Sequence, residues 1–136
     1  MSLERFLDAQ RDSYEPALAE LRAGAKRSHW MWFVFPQIAG LGQSPTARFY
    51  AIRDLAEARD YLAHPLLGHR LAACVEAMLA HGGQRSAEAI LGGIDAVKLR
   101  SSCTLFEAAG GGARFGQCLD SFYDGDRDAA TLRLIG

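Results

Sequence analysis

Over most of this chain the hydrophobic positions repeat at the spacing of helices. Leu67, Leu71, Cys74, Val75 and Met78 lie at successive offsets of four, seven, eight and eleven residues, a stripe that opens after His64 and Pro65 and stops at Gly82 and Gly83. Leu3, Phe6, Leu7, Gln10 and Tyr14 fit a first helix, and Pro16 suits the first turn of a second that carries Leu18 and Leu21 up to Gly24. Ser44 is placed to cap a helical stretch opened by Pro45, and Asp54 with Glu57 forms a capping-box pattern ahead of Leu55, Ala58, Tyr61 and Leu62. Ser86 caps a short helix to Leu91, and Asp95 is placed to cap a longer one through Ala108. After the break at Gly110, Gly111 and Gly112, residues Phe115, Cys118, Leu119 and Phe122 mark a penultimate helix. The turn at Asp124, Gly125 and Asp126 leads into a last one ending near Ile135.

One stretch departs from this periodicity. Ser28 to Gln37, SHWMWFVFPQ, crowds two tryptophans, two phenylalanines and a methionine beside a histidine and a glutamine. Trp32, Phe33, Val34 and Phe35 have strand character, yet no second strand of comparable strength exists to pair with them, so the run is expected to be extended and threaded into a helical body. Alternation then puts Trp30, Trp32 and Val34 on one face and Met31, Phe33 and Phe35 on the other. The predicted architecture is all-α: one domain over residues 1–136, a compact bundle of about seven or eight helices with an extended aromatic segment.

Composition narrows the function classes. The chain has 136 residues, 49% of them hydrophobic, enough to bury a core without staples. Fifteen basic against sixteen acidic residues leave a net charge of −1, so the field that duplex nucleic acid or an anionic membrane demands is missing. The basic cluster Arg22, Lys26, Arg27 and His29 is too small to supply it. Cys74, Cys103 and Cys118 are odd in number, lack CxxC spacing and fall on apolar stripes, where cysteine packs as a small hydrophobe. No HExxH, paired-histidine or carboxylate cluster supports a metal, and neither a dinucleotide nor a phosphate-loop pattern supports a cofactor. A charged-then-apolar leader is absent from the first residues, which makes the cytoplasm the expected compartment. Oligomeric state is left open.

Several of these segments resemble a family. SHWMWFVFPQIAGLGQS, the YAI at Tyr50 to Ile52, EARDYLAHPLLGHRL from Glu57 to Leu71 and GIDAVKLRSSCTLF from Gly93 to Phe106 are similar to the bacterial domain-of-unknown-function family eighteen-ten. The likeness runs from about Leu3 to the carboxyl end, and it implies a compact all-helical fold and no established activity. Some members carry the label calpastatin, a name given to disordered repeat inhibitors, whose composition this half-apolar chain does not share. Cys103 stands where methionine is more usual in the family, a packing difference.

Two constellations carry candidate chemistry. Lys26, His29, Trp30, Trp32 and Gln37 combine a cation, an imidazole, two stacking faces and an amide, a kit for a nucleobase or another flat ligand; equally, the aromatics are core and His29 anchors the chain. Lys98, Arg100, Ser101 and Ser102 share the helix of Asp95 and Thr104. A cation followed by hydroxyls suits an anion, and the same hydroxyls also suit bonds back to the preceding turn. Joined, the two sets imply a small anionic or nucleotide-like ligand held between an aromatic wall and Lys98. Turnover, for instance N-glycosidic hydrolysis, would call on Asp95 or Glu57 as acid or base, with His29 as the alternative. The rival expectation is a protein-interaction module with Trp30, Trp32 and Phe35 as an exposed patch.

Overall fold

The computed structural model describes residues 3–136, and among these ten helices follow one another with no strand. They are α1 (Glu4–Gln10), α2 (Tyr14–Ala23), α3 (Met31–Val34), α4 (Pro45–Phe49), α5 (Leu55–Ala63), α6 (Pro65–Leu79), α7 (Ala87–Leu91), α8 (Gly93–Ala108), α9 (Ala113–Tyr123) and α10 (Ala129–Ile135). None is long and apolar enough to cross a membrane.

Local chemistry sets most of the boundaries. The Ser44 hydroxyl accepts from the Ala47 N–H, and Ser86 does the same for Ala89. Asp54 accepts from the Glu57 N–H at 2.9 Å while the Glu57 carboxylate accepts from the Arg53 N–H at 2.8 Å, a near-reciprocal box that starts α5. His64 caps α6 through Nδ1, which accepts from the Leu66 and Leu67 amides. Helices α5 and α6 meet so closely that a Cβ on Gly68 would stand 2.2 Å from the Leu62 carbonyl oxygen; only glycine fits there.

Helix α6 runs through the middle of the core. Its stripe, Leu67, Leu71, Cys74, Val75 and Met78, is at most 1% exposed, and α2, α5 and α9 pack on it. Helix α8 meets α5, α7, α9 and α10. A chain of rings crosses the interior, Phe6 to Tyr61 at 5.1 Å, Tyr61 to Phe106 at 5.3 Å and Phe106 to Phe115 at 5.9 Å. At its edge Arg5 donates to Glu57 at 3.1 Å and to the Ala51 carbonyl at 2.8 Å, tying α1 to α5 through a buried ion pair.

The fold differs from the sequence expectation in four places. The helices number ten among the described residues, not seven or eight: the aromatic run contributes α3, and the short α4 and α7 both form as separate helices. Tyr14 begins α2 instead of ending α1. Helix α8 starts at Gly93, so Asp95 lies in its first turn and its carboxylate turns to lysines instead of capping. The aromatic run is not extended. With apolar residues on both alternating faces an extended segment would have left one face without cover, whereas one helical turn puts Met31, Val34 and Phe35 together on the inside at 1–2% exposure. Trp32 and Phe33 are then half-buried on the outer side.

Candidate functional site

Trp30 immediately precedes α3 and is 1% exposed. Its indole N–H donates to Glu20 at 2.9 Å, and the same carboxylate accepts from the Arg27 amide, the Ser28 amide and the Ser28 hydroxyl. Partial desolvation pushes the Glu20 carboxyl up, but the hydrogen bonds from Ser28, Arg27 and Trp30 outweigh it and hold the group at about 2. Glu20 is thus the anchor of the whole turn that enters the aromatic run.

Beyond Pro36 the chain makes an isolated parallel bridge, Ile38 to Ile52, with the Ala39 amide donating to the Ile52 carbonyl and the Ile52 amide to the Gln37 carbonyl, each at 2.8 Å. The bridge fixes Gln37 so that its side-chain amide donates to the Ser101 hydroxyl on α8 at 2.6 Å. Ser101 in turn donates to the Lys98 carbonyl at 3.0 Å. One turn earlier, the Lys98 ammonium sits 3.7 Å from the centre of the Trp32 ring and 3.2 Å from Asp95. The other oxygen of Asp95 pairs with Lys26 at 2.9 Å, and Lys26 lies 5.1 Å from the Trp30 ring. Aromatic, cation, carboxylate, cation and aromatic therefore follow in one chain of contacts across segments about seventy residues apart.

This arrangement walls a cleft of about 390 Å³ between the aromatic turn, the loop after it, α8 and the start of α10. Trp32, Gln37, Lys98 and Ser101 line one part, and Leu41, Gly42, Ile94, Val97, Asp128 and Ala130 the rest. Ile94 and Val97 are 77% and 61% exposed, an apolar rim. A smaller cavity of about 140 Å³ adjoins it across Trp32, Gln37, Leu41 and Gly42 and adds Arg48 and Tyr50. Gly42 is confined here, since a Cβ would stand 2.6 Å from the Cβ of Ala47.

Of the residues singled out by sequence, Trp32, Gln37, Lys98 and Ser101 thus border one cleft. Lys26 reaches it only through Asp95, and Trp30 stands behind it in the core. Ser102 is 0% exposed, and its hydroxyl has no hydrogen-bond partner among the described residues. Arg100 turns to Asp126 and Asp128 at 3.2 and 3.3 Å. His29 is exposed and does not line this cleft. Glu57 is 2% exposed, spent on Arg5, Arg53 and the start of α5, which removes it from acid or base work at this cleft. The patch of Trp30, Trp32 and Phe35 does not form, because Trp30 and Phe35 are each 1% exposed.

Asp128 is the charged cleft residue that sequence reasoning missed, beside the apolar lining of Leu41, Ile94, Val97 and Ala130. It caps α10, accepting from the Thr131 amide at 3.0 Å and the Thr131 hydroxyl at 2.6 Å. Burial pushes its carboxyl up, but the Thr131 bonds and Arg100 carry it below the ordinary value, so it faces the cleft as a carboxylate. The Asp-x-x-Thr spacing before an apolar run was the available signal.

No curated protein is similar to this chain by sequence. Among solved structures it is similar to the crystal structure of the conserved hypothetical protein Rv1873 from Mycobacterium tuberculosis. The two share 47% sequence identity and superpose with a TM-score of 0.94 over 98% of this chain and 95% of that one. The model of the family described as protein of unknown function DUF1810 matches residues 1–135, and the chain belongs to that family.

Proposed function

We propose that the cleft between the aromatic turn and α8 binds a small anionic, nucleotide-like metabolite. What carries the reading is the meeting of four unlike groups on one concave surface: the Trp32 ring, the Gln37 amide hydrogen-bonded to Ser101, and the Lys98 ammonium. The cleft volume falls within the range that encloses small molecules. A flat ring bearing polar edges would lie between the Trp32 wall and the apolar rim of Ile94 and Val97. Its edge would meet the paired amide and hydroxyl, and its anionic part would draw on Lys98.

Lys98 does not enter this role as a free cation. Asp95 shares its negative charge between Lys98 and Lys26, so the three groups together carry one net positive charge. An anion binding at Lys98 then completes the neutralisation without having to break a pair. Were turnover such as N-glycosidic hydrolysis to accompany binding, Asp128 is the carboxylate that lines the cleft, held ionised and oriented by Thr131 and Arg100.

The test is a thermal-shift screen against nucleosides, nucleotides and phosphorylated sugars, followed by titration of any hit. Ligand at a hundred times its dissociation constant adds about 2.7 kcal/mol of stability. Lys98→Ala is expected to abolish the shift. A hit that Lys98→Ala binds as tightly as the parent protein rejects the cleft as its site.

A further inference from the structure

A second groove, with no residue in common with the cleft, runs between α2 and α6 and encloses about 430 Å³. Tyr14, Leu18 and Arg22 follow one another at four-residue intervals along α2, and Leu66, His69, Arg70 and Ala73 face them from α6. Tyr14 is 8% exposed and Leu18 is 7% exposed, so they form the floor.

Three polar groups of this groove lack hydrogen-bond partners among the described residues. The Tyr14 hydroxyl makes no hydrogen bond among the described residues; the residue is 8% exposed, and its oxygen is open to the groove. Burial raises its phenol above the ordinary value, so it stays a donor. Among the described residues Arg22 forms no ion pair or hydrogen bond, nor does His69. Arg70 is held in place without being neutralised: its guanidinium lies 4.7 Å from the centre of the Tyr14 ring and donates to the Gln10 side-chain oxygen at 3.4 Å. Gln10 is itself fixed, 1% exposed and bonded to the Phe33 carbonyl and the Tyr61 hydroxyl. Two guanidinium groups, a phenol and an imidazole thus face one groove, and Glu15 is its one carboxylate.

We propose that the α2–α6 groove is a second ligand site, taking a small phosphorylated organic molecule. Two arginines suit the charge of a phosphate monoester and its three acceptor oxygens better than a single carboxylate, and the planar fork of each can bond two oxygens at once. The Tyr14 hydroxyl supplies a further donor from the floor. Leu18, Leu66 and Ala73 give the organic part of the molecule apolar cover, and Leu66 is 41% exposed in the absence of it.

The experiment is a titration of ¹⁵N-labelled protein with phenyl phosphate at constant ionic strength, followed by amide chemical shifts. Saturable shifts are expected in α2 and the first half of α6, with unchanged affinity in Lys98→Ala. Arg22→Gln alters an exposed side chain and keeps the fold, and it should weaken binding about tenfold or more, as loss of a charge-assisted bond does. Tyr14→Phe should weaken it less. Shifts that fail to saturate overturn the proposal, as does equal affinity in Arg22→Gln. Saturable shifts confined to the Trp32–Lys98 cleft and lost in Lys98→Ala likewise overturn it, assigning the phosphate to the other site. If Arg22 serves only the carboxyl-terminal turn of α2, Arg22→Gln will lower stability and leave affinity intact, which also rejects the site.

Discussion

The ammonium of Lys98 lies 3.7 Å from the centre of the Trp32 ring, closer than the other cation–ring contacts among the described residues. The contact fixes one face of an indole that is only half-buried, and it leaves the lysine side chain 16% exposed, far from the solvated charge that its helix position suggests. Lys98→Met keeps the stem over the indole and removes the charge. It should cost about 1 kcal/mol in urea unfolding, the scale of one cation–π contact, while removing affinity for an anionic ligand of the cleft. Retained affinity would place the anionic part of the ligand elsewhere.

Glu20 gives the protein an acid-sensitive joint. Its folded carboxyl is held at about 2 against an ordinary value of 4.5. A depressed carboxyl contributes stability that is complete above the unfolded value and is lost as pH falls through the folded one, so the loss is expected between about pH 4.5 and 2. In Glu20→Gln this part of the acid transition should disappear, and stability at neutral pH should drop by about 2 kcal/mol, the scale of hydrogen bonds to a charged acceptor. Urea midpoints measured across this range in both proteins decide it.

Met78 is 0% exposed in the α6 stripe. Met78→Ala should lower stability by about 2 to 5 kcal/mol, the range for core truncations. A change below 1 kcal/mol in chemical denaturation would show that the core collapses around the gap.

The cysteines should be inert in the native state. All three are free and buried, desolvation pushes the Cys74 thiol up to about 12, and a hydrogen bond with Cys118, then burial, raises Cys103 well above its ordinary value. Labelling by a thiol reagent should therefore be slow until denaturant is added. Fast native labelling of any one of them would mean that its helix opens locally.

How much of this was legible in the residues follows from how local each cause is. The α6 stripe and the caps Ser44, Asp54 and Ser86 act within a few residues, and spacing exposes them. The aromatic turn was not legible, because Met31 to Phe35 is apolar at every position and its periodicity cannot separate a strand from a helical turn. Asp95 shows a different limit. An aspartate near a helix start looks like a cap, and only the fold brings Lys26, on a distant segment, to its free oxygen. The meeting of Gln37 with Ser101 and the grip of Glu20 on Trp30 arise the same way, from groups whose partners no sequence offset announces.

The bridge between Ile38 and Ile52 has a meaning for variation among relatives. Residues 39–51, which carry α4 and one wall of the cleft, leave and rejoin the body at one pair of backbone bonds, with Arg5 on the Ala51 carbonyl and Tyr50 against Phe6 and Phe33 as further ties near the exit. The exposed stretch Gln43 to Thr46 can be lengthened with little penalty, since doubling a flexible loop costs about 0.6 kcal/mol of closure entropy. That stretch beside the wall can therefore vary while the Ile38–Ile52 bridge and the core stay the same, and under the proposed function such variation would change what the cleft admits.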